Sequence, residues 1–264
     1  MIERTRHDRF LFAKNAIAAL PAFALLFMLA LAPPAFAQEI DANELLKAID
    51  RNLWSRTKYI NGTLIIDNGR RVRVLKVDSW MEGTEKSYSY YKSPPRERGT
   101  QMLKIFRKLW MYTPRTDRKL LIAGHLLRQS MMGSDLSYED MMEDRELNKS
   151  YEAKVEKIED TDGKKTLTLF LAANDRAITY QTRRVWADPE RKIALREERY
   201  SKSGKLLKRV EFLDYRRIQG RLFPKKIVFR DMLKTNTKTI YVFDHVQFNV
   251  DVPKKYFSQS ILKR

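Results

Sequence analysis

The sequence predicts a mainly β protein of the α+β class, built on one strongly curved antiparallel sheet. Runs rich in Val, Ile, Leu, Thr and aromatic residues recur at hairpin spacing through most of its 264 residues. Gly-containing pairs punctuate them, and helical periodicity is confined to the start and the middle. Successive hairpins imply a meander, and a sheet of roughly ten to twelve strands must curl strongly or close.

After a leader segment, residues 41–54 predict a helix, because Ala42, Leu45, Leu46, Ile49 and Leu53 recur at spacings of three and four. Asp41 is its expected N-cap, with Glu44 three residues on. Strands follow over residues 62–67 and 71–80, joined by the hairpin signal Asn68-Gly69. The run 85–91 puts Tyr88 and Tyr90 on one face, and Pro94-Pro95 ends it because proline donates no ladder hydrogen bond. Residues 99–107, 108–113 and 119–122 read as the next strands. Residues 123–148 break the rhythm and hold a short helix at 138–143. Strands then resume at 151–158, 165–171, 180–186, 194–200, 206–215, 225–230 and 239–243. Asp162-Gly163, Asp188-Pro189, Ser203-Gly204 and Gln219-Gly220 supply turns. No composition shift, linker or repeat divides the chain, so residues 38–264 read as one domain.

The leader has three parts. A polar, basic stretch carries Arg4, Arg6, Arg9 and Lys14; an apolar run extends from Ala16 to Pro34; Ala35-Phe36-Ala37 then precedes Gln38. This is the layout of a secretory signal, with cleavage expected after Ala37 and residues 1–37 removed. The alternative is an uncleaved inner-membrane anchor, since the apolar run is nearly long enough to span a bilayer. Without cysteine no disulfide is available, and no acylated N-terminal Cys can anchor the chain. The formal net charge is +19, and nearly all of it remains when the leader is removed. For an exported chain, anionic phospholipid headgroups are the expected partner and nucleic acid is not.

Enzymatic constellations are scarce. His125 and His245, the histidines outside the leader, have no metal-ligand spacing and no cysteine to join them. No nucleophile elbow, P-loop or dinucleotide glycine motif occurs, so no catalytic residue, metal or cofactor is expected. Acidic pairs such as Glu139-Asp140 are explained by complementing a helix N-terminus.

The segment Met131-Met132-Gly133-Ser134-Asp135-Leu136-Ser137-Tyr138-Glu139-Asp140-Met141 carries the most information. Gly133 permits a turn, and Ser137 with Asp140 has capping-box spacing. Met131, Met132, Met141 and Met142 flank the turn with side chains that conform to varied apolar shapes. They predict either a core-covering loop or a movable lid over an apolar cavity.

Together with Pro95, Gly99-Thr100, the run 109–114 (LWMYTP), Arg118-Lys119 and 122–124 (IAG), this segment resembles the signature of the outer-membrane lipoprotein-sorting, LolA-like family. The resemblance implies an incomplete, unclosed barrel with helices packed in its mouth. It also implies a periplasmic carrier whose concave apolar face holds acyl chains of a lipoprotein, a phospholipid or another envelope lipid, with an inner-membrane transporter as donor. The alternatives are a non-transporting envelope sensor or accessory module and, less well supported, a hydrolase. Candidate cavity residues are the large apolar side chains Trp80, Tyr88, Tyr90, Leu103, Ile105, Trp110, Tyr112, Leu167, Leu169, Val210, Phe212, Ile227, Phe229 and Val242. One sequence leaves open which face each strand turns inward, and ordinary core packing is the alternative for each residue.

Overall fold

The computed structural model describes residues 40–143, 146–161 and 163–262. The leader and its expected cleavage site lie outside these residues. The compact unit is Ile40–Arg264. No described helix is long and apolar enough to cross a membrane.

Helix α1 (Ala42–Leu53) begins where Asp41 Oδ1 accepts the Asn43 and Glu44 backbone N–H groups at 2.8 and 3.2 Å. Thirteen strands follow. The first six are β1 (Thr57–Asp67), β2 (Val72–Glu82), β3 (Lys86–Ser93), β4 (Gln101–Ile105), β5 (Lys108–Thr113) and β6 (Arg118–Ile122). A crossing segment contains α2 (Tyr138–Met142) between short 3₁₀ turns. Then come β7 (Tyr151–Thr161), β8 (Lys164–Ala173), β9 (Thr182–Asp188), β10 (Ile193–Tyr200), β11 (Leu206–Ile218), β12 (Arg221–Asp231) and β13 (Lys238–Phe248). Two 3₁₀ turns close the described chain.

All the strands lie in one antiparallel sheet, in the order β6-β5-β4-β3-β2-β1-β13-β12-β11-β10-β9-β8-β7. The first strand therefore pairs with the last, through Lys58↔Phe248 to Asp67↔Lys238. The edges, β6 and β7, do not pair, so the sheet curls without closing. At the β1–β13 bulge the chain needs Gly62, because a Cβ there would press into the Tyr241 ring and lie 2.9 Å from the Val242 carbonyl oxygen.

Two plugs cover the concave face. Helix α1 lays Leu45, Leu46 and Ile49 on β7–β10, against Leu167, Leu169, Val185 and Ala194. The crossing segment lays Met131, Met132, Leu136, Met141 and Met142 on the β1–β6 half, against Leu64, Leu75, Val77, Tyr91 and Met102. Burying a side chain the size of Leu stabilises by roughly 1.5–3 kcal/mol, so each plug is held by several such contacts.

The convex face of β2–β5 is also apolar, and the C-terminal segment covers it. Tyr256 stacks on Trp80 with centroids 4.5 Å apart, and Leu262 is buried among Tyr88, Leu103, Trp110 and Tyr112.

Candidate functional site

Between the plugs the concave face holds a partly open cavity of about 260 Å³. Its floor is aromatic and aliphatic: Phe212 of β11, Phe223, Ile227 and Phe229 of β12, and Tyr241 and Phe243 of β13. Leu46, Ile49 and Leu53 of α1 form one wall, and Met131, Leu136 and Met141 of the crossing segment form the roof.

Strand register decides where each sequence-derived candidate lies. The pairs Ile60↔Ser79, Ser79↔Ser89 and Ser89↔Met102 fix one cross-strand row that faces inward. The alternate residues Trp80, Tyr88, Tyr90, Leu103, Ile105, Trp110 and Tyr112 therefore face outward, under or beside the C-terminal segment. Val242 pairs with Thr63 and Lys226 on the same outer face. The inner positions of β2–β4 mix the small polar Ser79, Ser87 and Ser89 with the apolar Val77, Met81, Tyr91 and Met102. Val210, Phe212, Ile227 and Phe229 line the cavity, whereas Leu167 and Leu169 face inward beneath α1.

A polar ladder that the sequence reading missed runs along the inner face of β9 and β10 to the roof. Arg183 donates to Tyr151 Oη at 2.8 Å and to Glu197 Oε1 at 2.5 Å. Arg199 donates to both Glu197 oxygens, at 3.0 Å to the Oε1 that Arg183 also reaches and at 3.3 Å to Oε2, and, at 3.1 Å, to Asp140 Oδ1 in α2. Tyr180 Oη donates to the same Asp140 oxygen at 2.6 Å. Burial opposes the charge of Glu197, but Arg199 and Arg183 bring its carboxyl down to about 2. Burial likewise opposes the charge of Asp140, yet Arg199, Lys208 and the bonds from Ser137 and Tyr180 hold its carboxyl below the usual range. Asp50, at the inner end of α1, behaves oppositely. Burial pushes it up to about 7, against the backbone N–H bonds from Asn148 and Leu147.

The roof motif can now be read residue by residue. Gly133 takes φ 73° in the turn. Ser134 Oγ donates to the Met131 carbonyl at 2.6 Å. Asp135, 2% exposed, accepts from Thr237 Oγ1, Thr239 Oγ1 and the Asp231 backbone N–H, tying the roof to β12 and β13. Ser137 and Asp140 form the capping box expected from their spacing. Thr179 Oγ1 donates to Glu139 Oε1 at 2.9 Å. Lys104, buried on β4, donates to the Met141 and Met142 carbonyls at the end of α2, where a cation complements the helix dipole. Arg73 donates to the Met132 carbonyl at 3.0 Å.

His125 and His245 are both exposed, and among the described residues no group of three His, Cys, Asp or Glu side chains converges on a metal position.

Solved structures share this single unclosed antiparallel sheet. A LolA superfamily protein from Nitrosomonas europaea superposes with TM-score 0.71 at 23% identity, covering 84% of this chain and 99% of its own. A putative outer membrane lipoprotein-sorting protein domain from Vibrio parahaemolyticus gives TM-score 0.72 at 19% identity, covering 84% and 98%. A DUF1329 family protein from Desulfovibrio piger gives 0.75 at 20% identity, covering 84% and 97%. A family model described as "-like: Uncharacterized protein" matches residues 83–264. No curated protein matches the chain. The chain belongs to the family of that model, and its fold is that of the LolA superfamily and lipoprotein-sorting structures.

Proposed function

We propose that the protein is a non-enzymatic periplasmic carrier. It shelters the acyl chains of a lipoprotein or another envelope lipid in the cavity and moves them between envelope membranes. One observation carries this reading: a partly open space of about 260 Å³ floored by Phe212, Phe223, Ile227, Phe229 and Phe243. Packed interiors leave few voids larger than a water molecule. A dry apolar cavity of ~150 Å³ already accepts benzene. Each methylene hidden from water is worth about 0.8 kcal/mol, which is the driving force for loading. Cargo longer than the resting space enters by displacing the methionine roof, whose flexible side chains adapt to the guest. The similarity to LolA-superfamily and lipoprotein-sorting structures supports the same reading. An inner-membrane transporter as donor follows from the family alone.

The test is native mass spectrometry of protein purified from the cell envelope, followed by transfer of the bound lipid between donor and acceptor vesicles. Co-purified lipid that exchanges supports the carrier. Stoichiometric binding to one protein partner, with no lipid bound, supports the sensor alternative instead. Ile227→Trp, which fills the chamber from its floor, is expected to weaken binding of a fluorescent fatty acid at least tenfold without lowering the melting temperature. Unchanged affinity refutes the assignment of this chamber as the acyl site.

A further inference from the structure

Three adjacent hairpin turns project from one end of the half-barrel, and their composition differs from an ordinary polar surface. The β1–β2 turn presents Arg70, Arg71 and Val72, and the β12–β13 turn presents Met232, Leu233 and Lys234. The β10–β11 turn presents Lys202 and Lys205. Val72 is 60% exposed and Leu233 58%. The turns are neighbours. A Cβ at Gly69 would lie 2.9 Å from the Asn236 carbonyl oxygen, and Met232 N–H donates to the Leu207 carbonyl beside the third turn. None of the three contains an acidic residue. The nearest carboxylates are engaged, Asp67 by the Gly69 N–H at 3.0 Å and Asp231 by Lys208 at 2.9 Å.

This end also touches the roof. Lys234 Nζ donates to Ser130 Oγ at 2.7 Å and to the Ser134 carbonyl at 3.1 Å, while Arg73 from β2 holds the Met132 carbonyl.

We propose that these three turns dock the protein on an anionic lipid bilayer, with Leu233, Met232 and Val72 entering the interface and the Arg and Lys side chains meeting the headgroups. Exposed apolar side chains on separate protruding turns, each beside cations, suit a fluid interface that closes around them. A protein partner would need a broad complementary surface, which three separate tips do not provide. The charge is of the right sign, and long basic side chains can reach headgroups while their stems stay in the interface. Because the β12–β13 turn, through Lys234, and the adjoining Arg73 of β2 hold the roof, docking places the chamber's movable wall at the membrane. The inference rests on the carrier reading only for its purpose. The docking itself is measured separately.

The experiment uses the chain from Gln38 onward, co-sedimented with phosphatidylcholine vesicles with and without phosphatidylglycerol. Each basic residue near an anionic surface strengthens binding about fivefold. Arg70→Gln, Arg71→Gln, Lys202→Gln and Lys205→Gln combined are expected to weaken binding to the anionic vesicles roughly a hundredfold or more. Leu233→Ser alone is expected to weaken it severalfold, and wild-type binding should fall steeply with salt. The control neutralises four exposed cations at the opposite end, Arg107, Lys108, Lys192 and Lys254, and should lose far less. Equal losses at both ends, full binding by Leu233→Ser, or no preference for anionic vesicles overturns the proposal. Binding of a fluorescent fatty acid in solution is read in parallel. Vesicle binding without acyl loading defeats the carrier and leaves docking standing, while loading without end-specific vesicle binding defeats docking and leaves the carrier.

Discussion

Asp140 joins roof to sheet, and replacing it by Asn tests whether the roof opens as a unit. Its carboxylate accepts from Tyr180 Oη and Arg199 Nη1 across the chamber, and from Ser137 N–H and Oγ within the capping box. Asn keeps one acceptor, but its amide then meets the Ser137 N–H, donor to donor, and Arg199 loses one of its two carboxylates. Breaking a buried ion pair costs about 3–5 kcal/mol. Arg199 keeps Glu197, which puts the loss near the lower end, about 3 kcal/mol. If the roof opens as a unit before the sheet unfolds, its amides exchange through that lower-energy opening and the lost bonds make the opening easier. Native-state amide hydrogen exchange reads this directly. The N–H groups of Ser137, Asp140 and Glu143 should exchange about a hundredfold faster, since each 1.4 kcal/mol is about tenfold, and in the unaltered protein they should already be less protected than those of β1 and β13. If roof amides are as protected as those of the sheet, or change less than severalfold on substitution, the roof is not a separately opening element and the latch is misread.

Asp50 gives a pH dependence of defined sign. Its folded value of about 7 lies above the ordinary 3.8. The unfolded chain therefore releases this proton first, and stability contributed by the group falls as pH rises from 3.8 toward about 7. Asp50→Asn should flatten that part of the denaturation profile and raise stability above neutrality. Glu197 has the opposite sign: its folded carboxyl, at about 2, contributes stability that is present above 4.5 and lost as pH falls toward 2. Glu197→Gln should remove that acid-side loss while lowering stability at pH 7, checked by urea denaturation across pH. Leu46, fully buried on the inner face of α1, should cost about 3 kcal/mol when changed to Ala, measured by the same method. Trp80→Ala should free the C-terminal segment, seen as faster proteolysis there, with fatty-acid affinity unchanged because Trp80 faces outward.

The successive hairpins were legible because turn chemistry is local, but the pairing of β1 with β13 and the break between β6 and β7 depart from the simple meander they imply. Asn68-Gly69, Ser203-Gly204 and Gln219-Gly220 each sit in the hairpin turns they predicted, and α1 runs 42–53 against an expected 41–54. Facing was not legible. Strands β3–β5 carry apolar or aromatic side chains on both faces, so Tyr88 and Trp110 look as ready for a cavity as any inner residue. What places them outside is the C-terminal segment docking on the convex face, a contact remote in sequence that no period-two pattern records. On β11 and β12 the inner set Val210, Phe212, Ile227 and Phe229 was found because Glu211, Lys226 and Arg230 alternate with it. The ladder of Arg183, Glu197 and Arg199 was hidden for the converse reason. Charged residues on strands normally read as the wet face, and a bulge in β10 between Ala194 and Arg196 shifts its alternation.

The pairing of β1 with β13 constrains the order in which the fold can be completed. Strands β1 to β6 can zip up as local hairpins as soon as they emerge, but the free edge of β1 has no mate until nearly the last residues of the chain arrive. Joining such distant segments is slow, and an unpaired edge invites pairing with other chains in the meantime. Until that partner strand is in place, the half-finished sheet stays pliable along this seam and is the stage of folding most in need of protection.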